Sequence, residues 1–143
     1  MSLTFTLAER LHADTAFVAD LALCRVLLMD NRLYPWLVLV PRRPEVRELH
    51  ELAAADRALL VEEAARASAL LTGEFAIDKV NVGMLGNLVA QLHCHVVGRR
   101  QGDPAWPGPV WGGPAERYEP AERDRLAARL RDCFAGDTGS AGV

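Results

Sequence analysis

The chain is short of cysteine, of excess basic charge and of long apolar runs, and each shortage removes a class of protein. Its three cysteines, Cys24, Cys94 and Cys133, are odd in number, far apart and without a Cys-x-x-Cys pair. That pattern argues against a disulfide framework and points to free thiols in a reducing compartment. A formal net charge of -3 and a pI near 5.8 leave no basic stripe for gripping a nucleic-acid backbone. Nucleic acid is therefore not an expected partner, and any phosphate ligand has to be held by local groups. No window approaches the roughly 20 apolar residues of a membrane span. Met1-Ser2-Leu3-Thr4 is not a cationic stretch leading into an apolar one, so no export signal is expected. A cytoplasmic protein with no membrane attachment is the expectation, without internal repeats or low-complexity blocks.

With 143 residues, half of them hydrophobic and 24% charged, the chain has the mix and the length of one globular domain with a real core. That domain is expected over residues 1–136, with a flexible tail over 137–143. Leu7 and Leu11, spaced i, i+4, predict a short helix over Phe5 to Leu11. Phe17 to Asp20 and Cys24 to Met29 read as strands, the second with the aliphatic richness of a central strand. Leu33-Tyr34-Pro35-Trp36 turns the chain into a further apolar strand, Leu37 to Val40, stopped by Pro41 and Pro44. Ala, Leu, Glu and Arg dominate Asp56 to Leu71, with Leu60, Ala64, Ala67 and Leu71 along one side. This predicts a long helix, started near Asp56 and closed by Gly73 at C′. A strand over Asp78 to Gly83 follows. After a Gly- and Pro-rich segment holding Trp106 and Trp111, Pro120 opens a last helix with Leu126, Leu130 and Phe134 in line. Strands and helices in this order predict an α+β fold: an antiparallel sheet of about five strands with helices against one face.

The stretch Gln91-Leu92-His93-Cys94-His95-Val96-Val97-Gly98 carries the chemistry. In an extended strand Gln91, His93 and His95 share one face, and Leu92, Cys94 and Val96 the other. Three readings fit such a face. It is a half-buried strand with incidental histidines; or two imidazoles share a metal, although a catalytic zinc site wants a third ligand that no motif here supplies; or one imidazole is a nucleophile. Neutral histidine is a competent nucleophile near pH 7 when one ring nitrogen is held protonated and the other faces the substrate.

These residues resemble the histidine triad superfamily of nucleotide hydrolases and transferases, marked by His-x-His-x-His followed by apolar residues. Here Gln91 stands in place of the first histidine. The resemblance also takes in Cys24 to Val40, the long helix and Asn81-Val82-Gly83-Met84-Leu85-Gly86-Asn87, about three quarters of the chain in the family's order. It implies that His93 attacks the α-phosphate of a nucleotide derivative, a dinucleoside polyphosphate or a nucleoside phosphoramidate, and becomes a nucleotidyl-histidine. It implies that His95, Asn81, Gly86 and Asn87 meet the phosphate, that Gln91 supports His93, and that Trp106, in a dimer, lies near the nucleotide pocket of the neighbouring subunit. Asn31 has two readings: turn chemistry at the end of a strand, or, by the resemblance, a contact to the ribose. The Pro-rich segment with Trp106 and Trp111 has too few apolar neighbours in sequence to be covered by its own chain, and together with the resemblance this implies a homodimer. No tightly bound cofactor or protein-held metal is called for; any Mg²⁺ would arrive with the substrate. The family usually has Gly or Thr, then His, before the third strand, where this chain has Trp36-Leu37, and often a Ser or Thr where it has Leu88. Arg42-Arg43 is a solvated basic spot or a contact to distal phosphates. A hydrolase, a transferase or nucleotide-binding module, and a metal-binding or structural protein all remain open at this point.

Overall fold

The computed structural model describes residues 4–136, so the tail expected over 137–143 lies outside the described residues. In chain order the elements are α1 (Glu9–Asp14), β1 (Thr15–Asp20), β2 (Cys24–Met29), β3 (Trp36–Pro41), α2 (Ala54–Glu74), β4 (Lys79–Gly83), β5 (Cys94–Arg99) and α3 (Pro120–Gly136). The five strands form one antiparallel sheet in the order β1-β2-β3-β5-β4, which is the α+β architecture expected. All six residues of β3 are buried; its continuous apolar run suits a strand with a neighbour on each side and cover on both faces.

One face of the sheet takes α2 and α3. Val18, Val26, Leu28, Leu37, Leu39, Cys94 and Val96 meet Leu60, Ala67 and Leu71 of α2 and Ala127, Leu130 and Phe134 of α3. The other face has no long helix. Leu27, Val38, Val40, Trp36 and Val97 are covered there by Leu11 of α1, by Tyr34 and by Val110. That thinner cover, made of short segments, leaves room for a cavity.

Several expected boundaries move. The first helix begins at Glu9, not Phe5. Residues 5–8 stay extended because the Gln91 amide takes their backbone groups, accepting from the Ala8 N–H at 2.8 Å and donating to the Thr6 carbonyl at 2.9 Å. Helix α2 runs three residues past the expected stop. Gly73 lies inside its last turn, and Phe75 caps it, with its N–H on the Leu71 carbonyl. The strand expected from Gln91 starts only at Cys94.

Glu63, on the buried side of α2, is a charged residue that helical periodicity assigns no role. Its carboxylate accepts the backbone N–H groups of Leu23 and Cys24 at 2.9 and 2.8 Å, tying the β1–β2 turn to the helix. Hydrogen bonds to a charged partner are worth about 1.5–3 kcal/mol each, enough to justify burying the carboxylate. Desolvation, with Glu63 beside it, pushes the Cys24 thiol well above its ordinary value, so that cysteine stays an inert thiol.

Candidate active site

A cavity of about 690 Å³ opens on the thinly covered face. His93 and His95 form its floor, 6% and 5% exposed, with ring centroids 4.8 Å apart. Met29, Asp30 and Asn31 come from the end of β2, Leu85 to Val89 from the loop before β5, Arg10, Leu11 and Asp14 from α1, and Val110 to Arg117 from the segment before α3.

Both imidazoles have one nitrogen fixed by a partner that can act in only one sense. Nδ1 of His93 lies 2.6 Å from the backbone carbonyl of Gln91. A carbonyl only accepts, so Nδ1 carries the hydrogen, and in the neutral ring Nε2 carries the lone pair. His95 is held the other way round. The Trp36 indole N–H donates to Nδ1 of His95 at 3.0 Å, and an indole only donates. Nδ1 is therefore the acceptor, and the ring's hydrogen sits on Nε2. Burial first, and the neighbouring His93 second, bring the pKa of His95 from 6.5 down to about 4. The unfolded chain takes up that proton as the pH falls below about 6.5 and the folded chain only near 4, so stability is full above pH 6.5, is lost progressively down to about pH 4, and is not regained below it.

The wall around His95 is aromatic. Trp36 and Trp111 lie 5.6 and 5.4 Å from its ring, edge to face. Gly83 pairs with His95 across the sheet, and a Cβ at Gly83 would come within 2.9 Å of the Trp111 ring. Glycine there is what lets Trp111 close over the imidazole. Gly86, at φ +73, supplies the left-handed turn that brings Asn87 to the cavity.

The expected site residues divide into two groups. His93, His95, Asn31, Gly86 and Asn87 all line the cavity. Asn81 and Trp106 do not, for a shared reason. Arg99, also on the His95 face of β5, is 1% exposed, and a buried guanidinium needs partners. Asp103 binds it twice at 2.8 Å, and Asn81 accepts from its Nη1 at 2.8 Å. Trp106 stacks on it at 5.6 Å. Within this chain Asn81, expected at the phosphate, and Trp106, expected at a neighbouring subunit's pocket, both contact Arg99, and Trp36 and Trp111 are the tryptophans at the cavity. Arg42 and Arg43 also lie elsewhere, Arg42 on the Leu21 carbonyl and Arg43 on Asp56.

Gln91 supports His93, but through its backbone. Its side-chain amide points to Thr6 and Ala8, so the substitution for histidine leaves the hydrogen-bond partner of His93 intact. Asn31 shows the turn chemistry expected, its Oδ1 accepting from Leu33 N–H at 3.2 Å and from Glu116 N–H at 3.3 Å. Beside it Asp30 accepts from Tyr118 N–H and from Arg117. The pair suspends the segment before α3 as a cavity wall. Arg10, Asp14 and Arg117 at the cavity were not legible in the sequence, since nothing in their local pattern distinguishes them from solvated charges. Among the described residues no group of three or more His, Cys, Asp or Glu side chains is placed to hold a metal ion.

Gln91→Ala should accordingly raise amide exchange at Ala8 by about tenfold or more while leaving the His93 ring nitrogens unshifted in ¹⁵N spectra. A shift at His93 Nδ1 with no change at Ala8 would contradict this division of labour.

The family model for the HIT domain matches residues 10–102. No curated protein matches the chain. Among solved structures, a histidine triad (HIT) protein from Sinorhizobium meliloti 1021 is 47% identical, with a TM-score of 0.86 over 90% of this chain and 96% of that one. A histidine triad protein from Marinobacter aquaeolei VT8 is 42% identical with a TM-score of 0.88, over 93% and 98% of the two chains. One from Bradyrhizobium japonicum is 42% identical with a TM-score of 0.85, over 90% and 97%. A floor of two histidines, each with one nitrogen committed, thus sits in a sheet and helix framework that these proteins share throughout, and the chain belongs to the HIT-domain family of histidine triad proteins.

Proposed function

We propose that this protein hydrolyses a nucleotide derivative, a dinucleoside polyphosphate or a nucleoside phosphoramidate, at its α-phosphate through a nucleotidyl-His93 intermediate. Family membership supports action on nucleotides by hydrolysis or transfer. The observation that carries the finer reading is the 2.6 Å contact between His93 Nδ1 and the Gln91 carbonyl, which leaves Nε2 as the ring's nucleophilic nitrogen. Its lone pair forms the bond to phosphorus, and the bond to the leaving group breaks with its electron pair. Positive charge developing on the ring is met at Nδ1–H by the carbonyl dipole. Water then attacks phosphorus, the P–N pair returns to Nε2, and the water proton passes to solvent. Replacing water by another acceptor gives a nucleotidyl transferase, which the product identity distinguishes.

His95 donates from Nε2 to a non-bridging oxygen, and Asn87 with the backbone at Gly86 meets the same phosphate. Asn31 faces the sugar with its Nδ2, which has only a long 3.5 Å contact to the Pro114 carbonyl. No bound cofactor is required, and Mg²⁺ enters only with substrate. Among the described residues no helix is long and apolar enough to cross a membrane.

We also propose a homodimer, on a different footing from the tryptophans. Trp106 and Trp111 are partly covered by their own chain, through Arg99 and through Trp36 with His95. A run of exposed apolar residues lies on the edge strand β4 and the loop after it, where Val82, Met84, Leu85 and Leu88 are 53%, 41%, 45% and 82% exposed. An apolar sheet edge of this kind invites a second chain. Sedimentation at micromolar concentrations should give the dimer mass, and a monomer throughout would contradict the proposal.

His93→Ala should lower turnover at least about a thousandfold while nucleotide binding stays within about tenfold, because the covalent step is lost and the cavity is kept. Retention of more than a few per cent of the rate by the pure variant would remove His93 as nucleophile.

A further inference from the structure

Trp36 does more than line a wall. Its N–H donates to His95 Nδ1, and it has no lone pair to offer in return. Protonating Nδ1 would set two N–H groups against each other in a closed cluster, where Trp36 is 6% and His95 5% exposed and the Trp111 ring lies against both. His95 therefore offers a hydrogen bond from Nε2, and a neutral imidazole has no proton to give up near pH 7. Other groups at the cavity do not fill that role. Asp14 and Asp30 are ion-paired with Arg117, and Glu116 with Arg32. Arg10 and Arg117 present guanidinium groups, which are not general acids. The proton on His93 Nδ1 is engaged with Gln91, whose own amide does not titrate.

We propose that Trp36 is a positioning residue that keeps His95 a neutral donor, and that the site is thereby restricted to nucleotide phosphoanhydrides and excludes phosphoramidates. This rests on the His93 chemistry proposed above and narrows its substrate class. When His93 Nε2 bonds to the α-phosphorus of an anhydride, the bridging P–O bond breaks and its pair stays on oxygen. The departing group is a phosphate, whose second pKa is about 6, so it leaves as an anion with no proton delivered. In a phosphoramidate the pair would fall on nitrogen. An amine leaves only if a proton reaches that nitrogen as the bond breaks, and the cavity supplies no acid to send it. Burial, and His93 beside it, act on His95 in the same direction, lowering it to about 4.

Two measurements on the full chain test the proposal. In two-bond ¹H–¹⁵N spectra of ¹⁵N-histidine-labelled protein, His95 should carry its hydrogen on Nε2, with a bare Nδ1, from about pH 5 to 8. Trp36→Phe should make it titrate inside that window. Given a dinucleoside polyphosphate and a phosphoramidate of the same nucleoside, the wild type should favour the anhydride in kcat/KM by at least about a hundredfold, and Trp36→Phe should narrow the gap by about tenfold or more. Should Trp36→Phe fail to fold, the wild-type spectra and substrate ratio decide alone. A wild-type His95 that carries its hydrogen on Nδ1, or protonates between about pH 6 and 7, overturns the proposal and leaves the His93 reading standing. Equal or faster cleavage of the phosphoramidate does the same. Cleavage of neither compound overturns the His93 reading, and the substrate restriction falls with it.

Discussion

A face buried against other structure cannot carry unpaired polar groups, and the cavity-side face around β5 carries three. His93, His95 and Arg99 recur at every second or fourth residue, and each is closed off by one kind of partner: a carbonyl for His93, an indole for His95, a carboxylate pair for Arg99. Much of the molecule's second side follows from those three needs. Asp103, Asn81, Trp106 and Tyr34 gather on Arg99, which fixes the irregular segment after β5 where it can pass over the sheet. That segment then delivers Val110 and Trp111 to the cavity and hangs from Asp30 and Asn31 on its way to α3.

The same pairing decides what the two imidazoles can do. A ring whose Nδ1 donates to a carbonyl offers a lone pair at Nε2; a ring whose Nδ1 accepts from an indole offers a hydrogen there. Two identical side chains 4.8 Å apart are thus made chemically opposite by the single partner that each Nδ1 meets. In the proposed reaction one becomes nucleophile and the other oxyanion donor. Gln91 fits because the essential group at that position is its backbone oxygen, and its side chain is free to anchor the segment before α1.

The sheet was legible, though not its strand order, because apolar runs such as Cys24 to Met29 and Leu37 to Val40 permit little else, and the alternation from His93 to His95 marked the functional face. The long helix was legible from Leu60, Ala67 and Leu71, but its end was not. Gly73 reads locally as a stop, and the helix continues because packing outweighs a cost of about 1 kcal/mol for glycine. The contacts of Asn81 and Trp106 with Arg99 were not legible because nothing near Arg99 in the sequence announces a buried cation; it follows a Gly and precedes a loop, where arginine is normally solvated. Trp36 read as a departure from the family pattern, and only the register of β3 on β5, Val38 opposite His95, brings its indole to that ring.

The central claim is that His93 Nε2 becomes covalently nucleotidylated. Rapid acid or detergent quenching of the protein during turnover of a dinucleoside polyphosphate, followed by intact mass and peptide mapping, tests it most directly. The account predicts one nucleotidyl group per chain, on the peptide containing His93, appearing and decaying at rates compatible with turnover. Turnover with no adduct on that peptide at any time point, or an adduct on His95 instead, would contradict it.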